Sequence, residues 1–245
     1  MVNIQKPDKK RNLAIGVVLI VLPIWIYVFS SNFAKSEPPI AAEQLLAGDL
    51  VFWKIRGGAD LSGHVAVITN ISEAAQQLKI SHATNNPKYD AFTETYMQTS
   101  AKLQQENRYY LVLRVNDQQL RTAFVRILRE WLDLNLTFNH QHEALMNQWD
   151  DSMAWFTTEY KLKLQNMIYL GDGGLEHGIP PNGFMCSEAV IIALQQAFLL
   201  TSGGVQLPRS LQLDPILCPP STLMLAFMRD TETFKILGEL TVPKS

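Results

Sequence analysis

Cysteine is the scarcest reactive residue in this chain, with two among 245 residues, Cys186 and Cys218. Two thiols cannot make a disulfide framework, and one bridge is the most they allow. An excess of one charge is also lacking. With 21 Lys and Arg against 23 Asp and Glu, the net charge is −2, and no basic surplus points to nucleic acid. Internal repeats and low-complexity tracts are missing too. At 47% hydrophobic and 18% charged residues, the chain can bury the core of one globular domain.

A long apolar run occurs only near the N-terminus. Residues 13–29 ("LAIGVVLIVLPIWIYVF") are 17 positions without a charge, preceded by Lys6, Lys9, Lys10 and Arg11. At about 1.5 Å per residue, and with uncharged flanks, the run just crosses a hydrocarbon core of about 30 Å. It has no polar face, which argues against a buried core helix. Two readings stay open: a transmembrane anchor over 12–31, or a signal peptide cleaved near "VFS". The run is longer than a usual signal h-region, which favours the anchor. The basic tail, 1–11, then stays cytoplasmic. The rest of this single-pass inner-membrane protein lies in the periplasm of a Gram-negative cell. In that oxidising compartment an unpaired thiol calls for an explanation.

Residues 32–42 ("NFAKSEPPIAA") read as a linker and 43–245 as the folded domain. Strands are expected at 48–55, 63–71, 77–85 and 108–116 from β-branched content and alternation. Four strands in succession predict one antiparallel sheet. From Asp117, read as the N-cap, Leu120, Phe124, Ile127, Leu128, Trp131 and Leu132 recur at helical intervals. Residues 136–182 read as an insertion, with a helix over about 153–168 and a Gly-rich loop ("GDGGLEHGIPPNG"). A helix from Cys186 to Leu200, a short helix from Ser221 and a last strand complete an α+β pattern.

Within "NGFMCSEAVIIAL", Cys186 stands where a turn becomes an apolar helix. Unpaired N–H groups of a first helical turn favour a thiolate, and the Cys186 N–H is placed to help hold an oxyanion. The plain alternative is a small core residue. A nucleophile also needs a base, and five histidines are available. His64 ("GHVAVIT") and His82 ("ISHAT") fall inside expected strands, and a hairpin would set them side by side. His64 is then the candidate base and His82 its orienter, against the alternative of two core histidines satisfied by backbone. His140 and His142 ("NHQH") read as solvated, without ligands at convincing metal spacing; His177 lies in the Gly-rich loop. Asp49 reads as a turn-fixing residue, Glu188 as an N-terminal helix charge and Cys218 as structural.

The order "GDLVFWK", "GHVAVIT", "SHA", a strand ending in Arg114, a helix, then "CSEAV" resembles the circularly permuted branch of the NlpC-type papain-like cysteine hydrolases. That branch includes YiiX-like proteins and the lecithin:retinol acyltransferase group. "LNLTFN" (134–139) and "PPSTLMLAF" extend the resemblance over about 43–240. It implies a permuted papain-like fold with Cys186 as nucleophile, His64 as base and His82 as third polar residue, and no cofactor or metal. A histidine in the third position looks more like the acyltransferase group, whereas "CSE" looks like the YiiX side.

The implied function is a membrane-anchored cysteine hydrolase, a thiol amidase or peptidase. Its substrate carries a peptide or another acyl group, with cell-wall peptides as one candidate. Two alternatives accompany it: a lipid-directed thiol acyltransferase or phospholipase, and an inactive membrane-tethered binding module.

Overall fold

In a computed structural model of the chain we describe residues 38–55, 62–72, 77–86, 88–98, 100–134, 136–140, 183–203, 206–215 and 217–241. The anchor segment 12–31, the helix expected near 153–168, His142 and His177 lie outside them. Among the described residues no helix is long and apolar enough to cross a membrane.

The described residues form an α+β fold. Its elements in chain order are β1 (Pro39–Ile40), β2 (Leu50–Ile55), β3 (Ser62–Ser72), β4 (Gln77–Thr84), β5 (Ala91–Tyr96), α1 (Ser100–Gln105), β6 (Arg108–Val115), α2 (Gln118–Leu132), α3 (Cys186–Thr201), α4 (Pro220–Arg229) and β7 (Phe234–Leu240). The strands make one sheet in the order β1-β7-β6-β2-β3-β4-β5.

Both faces of the sheet are buried, and strand alternation sorts the side chains between them. Leu50, Phe52, Val65, Val67, Ala83, Leu111 and Leu113 join a large core with residues of α2, α3 and α4. Val51, Ala66, Ile68, Ile80, Tyr110 and Val112 face the other way, into a smaller core with Ile40, Leu45, Met97 and Leu103. We call these the helix face and the small face.

Asp117 caps α2, its Oδ1 accepting from Leu120 N–H at 2.8 Å, and the predicted apolar stripe is buried except for half-buried Leu132. Trp131, fully buried, stacks on Phe184 at 4.6 Å and meets Phe92 edge-on at 6.2 Å. Aromatic pairs of this kind add about 0.5–1.5 kcal/mol beyond burial. Helix α3 is apolar around most of its circumference, with every residue from Ser187 to Ala197 buried. It packs between α2 and strands β3 and β4, as an all-round apolar helix must.

Two expectations are corrected. The sheet is mixed, because β1 runs parallel to β7 at one edge. This edge pairing needs close backbone approach: Glu239 N–H donates to Pro38 C=O at 2.9 Å, and a Cβ on Gly238 (φ +136°) would lie 2.0 Å from that oxygen. The sheet also begins inside the stretch read as a linker, since Ile40 is buried. Strand β5 and helix α1 were not foreseen: "AFTETY" carries one large inward apolar residue, Phe92, and α1 spans only 6 residues.

Candidate active site

Cys186 is the first residue of α3, after Met185 as N-cap. It is partly buried, packed against the helix-face core. The approach to it is set by backbone. Phe184 N–H donates to Thr137 C=O at 3.1 Å and Asn139 N–H to Phe184 C=O at 3.0 Å, a parallel bridge between Phe138 and Phe184. Gly183, at φ +80°, makes this possible; a Cβ there would fall 1.8 Å from Thr137 O. Residues 136–138 also join β5: Phe92 N–H donates to Leu136 C=O, and Phe138 N–H to Asp90 C=O. The "LTFN" stretch is therefore a splice between β5 and the start of α3.

Strands β3 and β4 pair antiparallel, and this brings the two strand histidines together. His64 Nε2 and His82 Nδ1 are 2.6 Å apart, and His82 Nε2 lies 2.9 Å from Thr95 Oγ1. Trp53, the cross-strand partner of His64, meets its ring edge-on at 4.7 Å and lies parallel to that of His82 at 6.4 Å. Burial pushes His64 down to about 3, with the neighbouring His82 adding to it. Burial alone pushes His82 down to about 4. Both rings are neutral at pH 7, so one nitrogen of the contact carries the hydrogen and the other accepts it. One consistent arrangement has His64 Nε2–H donating to His82 Nδ1 and His82 Nε2–H donating to Thr95 Oγ1. It makes Nδ1 the unprotonated nitrogen of His64.

Packing sorts the three predicted residues onto two sides. Alternation places His64 with Ala66 and Ile68, and His82 with Ile80, on the small face, where Trp53 also packs. Cys186 packs against the helix face. All three stand toward the same end of the sheet: Phe184 contacts Phe92, and Phe92 pairs with Ala83, next to His82.

The remaining candidates are placed as follows. His140, read as solvated, is more than half exposed, yet its Nε2 sits 2.8 Å from Asp90 Oδ1. Asp49 is fully buried and fixes its turn by accepting from Leu46 N–H at 2.8 Å. It does more than that: Arg114 grips both its oxygens, each at 2.7 Å. Glu188, also buried, accepts from Met185 N–H at 3.0 Å and so closes the helix start. Cys218 is fully buried in the helix-face core. Among the described residues no group of three or more His, Cys, Asp or Glu could hold a metal ion. Thr95 and Asp90 escaped sequence reasoning, because a hydroxyl and a turn carboxylate carry no periodic signal. No protein-family model, curated protein or solved structure matches the chain.

Proposed function

We propose that the chain is a membrane-anchored cysteine hydrolase, held by 12–31 with its domain in the periplasm, acting on an amide or related acyl bond. The observation that supports this reading best is Cys186 itself, a partly exposed thiol at the first position of a 16-residue helix. A helix N-terminus favours an adjacent anion by about 0.3–1 kcal/mol, up to about 2. That is too little to activate a thiol without an imidazole.

In this reading His64 takes the proton from Cys186 Sγ as the sulfur adds to the carbonyl carbon, and His82, bonded to Thr95, holds the ring in its basic tautomer. Backbone N–H groups at the start of α3 receive the developing oxyanion. The imidazolium returns the proton to the leaving amine as the C–N bond breaks. Water then hydrolyses the thioester and restores the thiol. His64 and Cys186 must meet around the end of the sheet for this to operate.

The separation of the histidine pair from the thiol across two faces favours a second reading, a tethered binding module without catalysis. The two are distinguished by alkylation of the purified full-length chain with iodoacetamide. Cys218 is buried and serves as an internal control. A hydrolase alkylates at Cys186 faster than a free model thiol and releases product from acyl substrates; a binding module does neither. A lipid-directed acyltransferase would instead show a lipid acyl adduct on Cys186 by intact-protein mass spectrometry.

A further inference from the structure

A second imidazole, His140, is carried by the segment whose backbone bridges to the approach of α3. Two residues beyond the bridged Phe138 and Phe184 stand His140 and Cys186, each where its chain turns helical. Phe138 meets the His140 ring and, with Phe184, belongs to the helix-face core against which Cys186 packs. Neighbouring strands lie about 4.8 Å apart, and α3 begins at Cys186, so the chains have little length over which to diverge.

The same splice holds the partner of His140. Asp90 N–H donates to Asn86 C=O at 2.8 Å, and Asp90 C=O accepts from Phe138 N–H at 3.2 Å. The Asp90 carboxylate thus stands on the segment paired with the one that bears His140, and its Oδ1 meets His140 Nε2 at 2.8 Å. Phe138 supports the imidazole edge-on at 5.0 Å. Asp90 has φ 37°, a left-handed conformation that costs a non-glycine residue about 1 kcal/mol and that Asp tolerates best along with Asn.

We infer that His140, positioned by Asp90, is the imidazole that exchanges the proton with Cys186. The inference rests on the reading of Cys186 as nucleophile and changes its partner: the order becomes Asp90, His140, Cys186, and the His64–His82–Thr95 chain becomes a structural element of the small face. With Nε2 turned to Asp90, Nδ1 is the nitrogen that meets the sulfur. The S–H proton passes to Nδ1 as the C–S bond forms and goes to the leaving group as the acyl bond breaks. Water then gives a proton to Nδ1 as its oxygen adds to the thioester carbonyl, and Nδ1 returns that proton to sulfur as the C–S bond breaks, releasing the acid. His140 and Asp90 are 58% and 52% exposed. The acyl group is thus approached from open solvent, which suits the end of a large polymeric or peptide substrate.

The test is the alkylation rate of Cys186 in the full-length chain at about pH 7. His140→Ala should slow it by about tenfold or more, the low side of a general base's contribution, and added imidazole should restore it, since the vacated site is exposed. Asp90→Asn should slow it less, and should have no further effect in the His140→Ala background, which a merely structural role would not produce. Two results overturn the inference: a His140→Ala rate equal to wild type, or a loss in His64→Ala that His140→Ala does not share. If wild-type Cys186 reacts no faster than a free thiol, the nucleophile reading fails and takes this inference with it. A fast Cys186 indifferent to His140 defeats the inference alone.

Discussion

Acid should unfold this domain through its paired strand histidines before its carboxylates titrate. In the folded protein His64 sits at about 3 and His82 at about 4, both below the ordinary 6.5. Their folded values are depressed, so the unfolded chain binds more protons in the window between, and stability rises with pH. The stabilisation is present in full above about 6.5 and is lost as pH falls toward 4 and then 3. From pH 7 to about pH 5 each ring costs about 2 kcal/mol, from 1.36 kcal/mol per pH unit. Because both rings are partly exposed, about 4 kcal/mol for the pair is an upper bound and about 2 a working figure. Either is a large share of a typical 5–15 kcal/mol.

The assay is urea unfolding across this pH window, on wild type and on a His64→Gln/His82→Gln variant that keeps hydrogen-bonding groups but cannot charge. Wild type should lose about 2–4 kcal/mol between the ends of the window. The variant should lose much less, whatever its starting stability. A wild-type stability that stays level over this range, or a variant with the same slope, refutes the claim that these rings are held neutral by burial.

Three further outcomes follow from geometry. Gly183→Ala sets a Cβ 1.8 Å from Thr137 O at φ +80°, so thermal unfolding should report a loss of at least about 2 kcal/mol, and Cys186 alkylation should change with it because the splice moves. Arg114→Met strands the fully buried Asp49; breaking a buried pair from one side costs about 3–5 kcal/mol. Chemical denaturation should show that loss, and Asp49→Asn in the same background should recover part of it. Asp117→Ala removes the cap on Leu120 N–H and should cost about 1 kcal/mol in the same assay.

Much of this fold is legible in the sequence. Strands β2, β3, β4 and β6 announce themselves by β-branched runs, and α2 by an apolar stripe with Asp117 ahead of it. These are local signals, set by side-chain direction along one element. Where the local signal is thin, reading failed: β5 has one inward aromatic, β1 has two residues, and α1 is shorter than any window that shows periodicity. The His64–His82 contact was foreseen because a hairpin forces neighbours together. The side of the sheet on which it sits relative to Cys186 was not.

Sequence alone determined the α+β class, the two-thiol chemistry, the apolar N-terminal run and the position of Cys186 at a helix start. Each of these depends on residue type and short-range spacing. Tertiary structure decided on which face of the sheet the histidine pair sits. A strand's side chains alternate between faces, so His64 and the helix that packs on Val65 are separated by one residue in sequence and by the whole sheet in space. The Phe138–Phe184 bridge, formed between segments 46 positions apart, sets the approach to Cys186 instead, and no local pattern encodes it.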